Sequence, residues 1–150
     1  ARFAKRNGCH HPIVVKRKGP KFSKKVRELT DGKGVQCVYD SVGKETWEES
    51  LACAALRGTV INFGSASGNP PLVNLAATGP MGSPFIARCA LVNYTITRKE
   101  TLARADDLFK AIRRGHVKVR VKQRYKLKDA PKAQRDIEGR RTTGSTVLIP

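Results

Sequence analysis

Acidic residues are scarce in this chain of 150 residues, which holds 12 Asp and Glu against 30 Lys and Arg, a net charge of +18. Residues 1–27 contain no acid, and residues 110–141 contain only Asp129, Asp136 and Glu138. A field of this sign attracts nucleic acid, anionic membranes and phosphorylated cofactors alike, so charge alone does not select a partner.

Long apolar runs are also absent. No stretch approaches the roughly 20 apolar residues that cross a bilayer, and the basic N-terminus lacks the apolar segment of a secretory signal. We therefore expect no membrane partner. The sequence does not start with Met, which fits a fragment of a longer protein.

Paired cysteines are missing as well. None of the four cysteines forms a CxxC pair, which argues against a zinc ribbon or a redox dithiol. Cys37 and Cys53 stand among apolar residues and are predicted to be small core residues. Unpaired cysteines without a secretory signal indicate a reducing, cytoplasmic location.

What the sequence does contain is an alternation of short apolar runs with helical stretches. This pattern predicts an α/β fold with a largely parallel sheet and flanking helices. Strands are predicted at 12–15, 35–39, 59–63, 85–91, 117–121 and 146–149, and helices at 22–29, 47–55, 98–112 and 130–137. A basic loop at 16–21 contains Gly19-Pro20, and the strand at 35–39 is compact enough to be buried on both faces.

Three helix starts carry recognisable signals. Thr46 with Glu49, and Thr97 with Glu100, have the spacing of a capping box, in which the two side chains satisfy free backbone N–H groups. Asp129 can cap the last helix.

Two loops follow predicted strands at the edge where parallel sheets bind ligands. Residues 40–43 and 64–68 are rich in Gly and Ser, which lets a ligand approach the backbone closely. The same composition also suits simple tight turns, so both readings stay open at this point.

Four ordered blocks carry a family resemblance: VYDSVGKETWEESL at 38–51, INFGSASG at 61–68, TRKETLARADDLF at 97–109 and EGRRTTGSTVLIP at 138–150. The sequence resembles the C-terminal part of the medium-chain reductase family, in its quinone oxidoreductase branch. The resemblance implies a partial Rossmann-type cofactor domain at 1–91 and a C-terminal segment of the catalytic domain at 92–150. It also implies hydride transfer from NADPH to quinones or similar activated double bonds, without zinc.

The resemblance further implies which residues contact the cofactor. The expected contacts are Val42, Phe63, Gly64, Ser65, Ala66, Cys89, Ala90, Leu91 and Arg140. Ser65 stands where the family usually has Asn, and Cys89 where it usually has Pro. The planar guanidinium of Arg140 suits a phosphate or a ring. No catalytic acid, base or nucleophile is nominated, because Asp40 looks like a structural acid and no histidine or cysteine has a positioned partner.

The glycine-rich turn that normally meets a cofactor's pyrophosphate at a helix N-terminus is lacking. The expected remnant is the nicotinamide side of the site. We therefore expect that this chain alone neither binds NADPH tightly nor reduces quinone.

A second function class is a basic nucleic-acid-binding module on a Rossmann-like scaffold. Such modules usually pair basic patches with exposed aromatic residues for base stacking, and most aromatic residues here are predicted to lie in the core. Tyr125 is the one stacking candidate. The family resemblance also suggests a homodimer through the strand at 85–91.

Overall fold

The chain folds into two compact units, Ala1–Asn93 and Tyr94–Pro150. The computed structural model describes residues 1–15, 19 and 21–150. Most of the predicted basic loop, namely Lys16, Arg17, Lys18 and Pro20, lies outside the described residues. Within the described part, no helix is both long and apolar enough to span a bilayer.

The first unit is built on a three-stranded parallel sheet in the order β1-β2-β3. Its strands are β1 (Val35–Asp40), β2 (Ala54–Asn62) and β3 (Phe85–Arg88), and its helices are α1 (Arg2–Arg6), α2 (Ser23–Leu29), α3 (Trp47–Cys53) and α4 (Leu75–Thr78). A 3-10 helix, Leu91–Tyr94, follows. The predicted α/β class with a parallel sheet and flanking helices is confirmed.

One face of this sheet is covered and the other is open. Val38, Val60 and Ile86 pair across the three strands, and they pack with Trp47 and Leu51 of α3. Val60 is fully buried. This contact is the core of the first unit, because it removes the apolar faces of the sheet and the helix from water.

The opposite face exposes the residues at alternate positions. Tyr39 is 71% exposed, Phe85 is 66% exposed, and Cys37 is also exposed. The predictions that strand 35–39 is buried on both faces, that Cys37 lies in the core and that most aromatic residues are internal are therefore wrong. Side chains alternate between the faces of a strand, and among the described residues a helix packs only on the face that carries Val38.

One further predicted strand does not form, and one predicted helix ends earlier than expected. Residues 12–15 form no strand. Helix α3 ends at Cys53, and β2 begins directly at Ala54. The guanidinium of Arg27 donates to the carbonyl oxygens of Ala52 at 3.0 Å and Ala54 at 2.8 Å. These bonds satisfy carbonyls that lose their helical partners at the helix end, so the chain can turn into the strand early.

Only one of the two predicted capping boxes forms. The Thr97 hydroxyl accepts from the Glu100 N–H, and the Glu100 carboxylate accepts from the Thr97 N–H, so that prediction is confirmed. The prediction of a capping box between Thr46 and Glu49 is wrong. Thr46 donates its hydroxyl to Asp40 instead, and Glu49 accepts from backbone N–H groups at the start of α2. Partners distant in sequence outcompete the local pairing.

The second unit contains a two-stranded parallel sheet, in which β4 pairs with β5. Its elements are α5 (Arg98–Arg113), β4 (Val121–Lys126), α6 (Ala130–Glu138) and β5 (Ser145–Ile149). The strand predicted at 117–121 is wrong, because pairing with β5 starts only at Val121 and Val119 is 60% exposed. Asp129 takes the N-cap position of α6 but makes no side-chain capping bond.

The cysteines differ in accessibility, and this difference predicts their reactivity. Cys53 is buried, and burial raises the pKa of its thiol to about 11. Because the thiolate is the reactive form, Cys53 is expected to resist a thiol reagent in the folded chain, whereas Cys9 and Cys37 react readily. Mass-spectrometric mapping after brief alkylation, with and without denaturant, measures this. Labelling of Cys53 at the rate of Cys37 without denaturant would contradict it.

Candidate functional site

The site begins at the carboxyl end of β1, where a buried carboxylate organises the following turn. Asp40 accepts from the backbone N–H groups of Val42 at 2.8 Å and Gly43 at 2.9 Å. It also accepts from the hydroxyls of Thr46 and Ser50. Burial by itself would raise the pKa of Asp40, but these four donors together lower it. Asp40 is therefore a structural acid, as its sequence context indicates.

The turn after β1 is joined to the loop after β2. The Phe63 N–H donates to the Asp40 carbonyl at 2.9 Å, and the Ser67 N–H donates to the Val42 carbonyl at 2.8 Å. The Ser67 hydroxyl donates to the same carbonyl at 2.8 Å. The two Gly- and Ser-rich loops, residues 40–43 and 64–68, are thus hydrogen-bonded to each other and form a joined loop pair.

The close approach of the two backbones within the loop pair requires glycine. A Cβ atom on Gly64 would lie 2.5 Å from the carbonyl oxygen of Ser41, a distance that real Cβ atoms do not show. The next residue, Ser65, has a buried hydroxyl with no hydrogen-bond partner among the described residues. A buried polar atom without a partner costs about 1–3 kcal/mol. A polar ligand group would remove that cost, so the loop fits a bound cofactor.

A third segment follows β3 and is attached to the same loop. The Cys89 N–H donates to the Asn62 carbonyl at 3.0 Å. The Asn62 side-chain amide donates to the Gly64 carbonyl at 2.9 Å, and the Arg88 guanidinium contacts the Asn62 side-chain oxygen. The ends of three neighbouring parallel strands therefore meet in one polar cluster.

The structure thus brings together three of the four predicted contact segments. Val42, residues 63–66 and Cys89 lie at adjacent strand ends, with Ala90 half-buried and Leu91 75% exposed beside them. Arg140 belongs to the second unit. There it follows α6 with an exposed side chain and a positive φ of 55°.

Two residues of the cluster were missed by the sequence analysis. Asn62 ends a strand of apolar and β-branched residues at a position that alternation assigns to the covered face, and a polar residue there is a usable signal. Arg88 carries no comparable signal, because it is one of 30 basic residues in the chain.

No set of three or more His, Cys, Asp or Glu side chains in the described part of the chain is arranged to hold a metal ion. These residues therefore do not fit a zinc site by themselves. The absence of zinc chemistry in the whole protein stays a prediction.

Comparison with known proteins places this geometry in a family. Residues 8–148 match the sequence profile of the family described as zinc-binding dehydrogenase. The chain belongs to this dehydrogenase family. The match covers both compact units, so the resemblance seen in the four sequence blocks is confirmed.

Individual relatives agree with this family membership. The chain is 43% identical to a quinone oxidoreductase of Pseudomonas aeruginosa over all of its length and 46% of the relative's. It is 40% identical to a 2-haloacrylate reductase of Burkholderia over all of its length and 45% of that protein. The structure of Escherichia coli quinone oxidoreductase complexed with NADPH superposes with a TM-score of 0.79 at 42% identity, over 87% of the chain and 40% of that structure.

The chain thus spans about half the length of the curated relatives it matches, and it matches their C-terminal portion. These comparisons give no support to the nucleic-acid-binding alternative. Tyr125, its stacking candidate, is half-buried and donates its hydroxyl to Asp136 at 2.7 Å.

Proposed function

We propose that this chain is the C-terminal part of an NADPH-dependent oxidoreductase that transfers hydride to a quinone or a similar activated double bond. Its relatives include quinone oxidoreductases and a 2-haloacrylate reductase, and two related structures are complexed with NADPH. Both relatives' names describe reduction, and a quinone and a haloacrylate share a double bond activated by a neighbouring group.

The single observation that carries the proposal is the joined loop pair with its unsatisfied buried hydroxyl at Ser65. In open parallel sheets, ligands bind outside the carboxyl ends of the strands. Val42, residues 63–66 and residues 89–91 would hold the nicotinamide side of the cofactor. A cofactor contact by Arg140 rests on the family resemblance alone. The bound cofactor supplies the hydride, while these residues bind and orient it.

The assignment of parts belongs to the same proposal. Residues 1–91 would form the later part of the cofactor domain and residues 92–150 a segment of the catalytic domain. The proposal also includes a cytoplasmic location and an enzyme that works without zinc. Its electron acceptor would be a quinone, and it would form a homodimer through the strand region 85–91. Exposed Phe85 on β3 supports the dimer, because an exposed apolar strand residue favours pairing.

Two compounds that each represent one half of NADPH, here called half-ligands, test the proposal most directly. Reduced nicotinamide mononucleotide is expected to bind weakly and to shift the amide NMR signals of Val42 and residues 64–66, because this chain holds the nicotinamide side. Adenosine 2′,5′-bisphosphate is the control for phosphate attraction to a chain of net charge +18. It is expected to leave those loop signals unchanged.

Two results would count against the proposal. If both half-ligands shift the same scattered basic residues, the binding is only electrostatic. If the nicotinamide half-ligand shifts nothing at millimolar concentration, the loop pair is not a cofactor site. Intact NADPH, followed by nicotinamide fluorescence, is expected to bind weakly, and saturation in the low micromolar range would refute the expectation that this chain binds it poorly.

A further inference from the structure

Asn62 is the most completely buried polar side chain described in the chain, with 2% of its surface exposed. It ends β2, and its amide nitrogen donates to the Gly64 carbonyl at 2.9 Å and to the Asp40 carbonyl at 3.4 Å. A single buried side chain therefore joins the end of β1 to the loop after β2. Because a buried amide is costly unless it is hydrogen-bonded, this side chain is confined to one orientation.

Arg88 holds the same loop from the other side. It ends β3, and its guanidinium contacts the Asn62 side-chain oxygen and the Gly64 carbonyl, the latter at 3.3 Å. The carbonyl of Gly64 therefore accepts from side chains on two different strands. Its donor is a charged guanidinium, so Arg88 adds a second restraint on this carbonyl to the one from Asn62.

Fixing one carbonyl fixes more than one atom. The peptide unit is planar, so the direction of the Gly64 carbonyl determines the direction of the Ser65 N–H on the opposite side of the same plane. Ser65 is also the residue whose buried hydroxyl lacks a partner among the described residues. Asn62 and Arg88 thus restrain the orientation of the peptide group between Gly64 and Ser65.

We propose that Asn62 and Arg88 are positioning residues that hold the Gly64–Ser65 peptide in its binding orientation before the nicotinamide arrives. The inference rests on the proposed function, since it concerns the same loop. Neither residue acts as an acid, base or nucleophile. Their contribution is preorganisation, which avoids the cost of ordering the loop during binding.

Arginine variants test the inference. Arg88→Met removes the donors but keeps most of the aliphatic stem, and Arg88→Lys keeps the charge but loses the planar fork. Arg6→Met is the matched control, since Arg6 is an exposed arginine on α1 and the same charge is lost. Two quantities are measured in each variant: amide hydrogen exchange at Ala66 and Ser67, and the dissociation constant for reduced nicotinamide mononucleotide.

Arg88→Met is expected to accelerate exchange at both amides and to weaken binding about tenfold, as loss of a charged hydrogen bond implies. Arg88→Lys is expected to give an intermediate value of each, and Arg6→Met to match the parent chain. Asn62→Asp removes the amide donors at nearly constant volume and is expected to act in the same direction as Arg88→Met.

The outcomes separate this inference from the proposed function. Unchanged exchange at Ala66 and Ser67 in Arg88→Met overturns the positioning role, whatever happens to binding. Faster exchange with unchanged binding also overturns it, because the pair would then be only structural. If the parent chain does not bind the half-ligand, the proposed function fails, and the exchange rates alone decide whether the pair holds the loop.

Discussion

Replacing Asp40 with Ala is expected to lower the free energy of unfolding of the first unit by about 3 kcal/mol. The substitution would leave two backbone N–H groups and two hydroxyls without their shared acceptor in a site where Asp40 is only 4% exposed. Buried donors without an acceptor carry the full cost of desolvation. Urea denaturation followed by circular dichroism measures the loss.

Asp40→Asn is the informative companion variant. Its side-chain oxygen can still accept from the Val42 and Gly43 N–H groups, and the hydroxyls of Thr46 and Ser50 can turn to accept from the new amide. We therefore expect a loss of about 1 kcal/mol, smaller than for Ala. Asp31→Asn, at an exposed turn position, is the control and is expected to have little effect. Equal losses for Asp40→Ala and Asp31→Asn would refute the structural role of this carboxylate.

Glu49→Gln is expected to destabilise the first unit by about 2 kcal/mol at neutral pH. The Glu49 carboxylate accepts from the N–H groups of Phe22 at 2.7 Å and Ser23 at 2.8 Å, so a side chain on α3 caps the start of α2. Burial would raise the pKa of Glu49, but the N–H donors and the nearby ammonium of Lys21 lower it from 4.5 to about 2. An amide in its place accepts less strongly from the same donors.

The pH dependence of this difference follows from the lowered pKa. Because the carboxylate is easier to ionise in the folded chain, its contribution is fully present above pH 4.5 and is lost as pH falls toward about 2. The gap in unfolding free energy between the parent chain and Glu49→Gln should therefore close over that interval. Glu48→Gln, at the exposed neighbouring position of α3, is the control. A gap that stays constant down to pH 2 would contradict the assignment.

Local signals in the sequence predicted the elements that depend on local bonds. The Thr97 box forms because both of its partners lie within one helical turn. The same spacing at Thr46 fails, because Asp40 and the start of α2 offer stronger partners from elsewhere in the chain. Spacing alone does not reveal such competition.

Burial was harder to predict than strand formation. The apolar run that forms β1 reads as a strand buried on both faces, yet in the part of the chain that the structure describes a helix covers only the face that carries Val38. Which face of a strand is covered depends on the path of the chain after it, and alternation of side chains does not contain that information.

For the candidate site too, some features were determined by the sequence and others only by the tertiary structure. The sequence by itself determined the α/β class, the family, and the two Gly- and Ser-rich loops at strand ends, because composition, period and ordered motifs are local properties. Only the tertiary structure decided that these loops are joined, that the Ser65 hydroxyl is buried without a protein partner, and that Asn62 and Arg88 hold Gly64. The physical reason is that these contacts connect residues up to 26 positions apart, which become neighbours only when three parallel strands end at one edge.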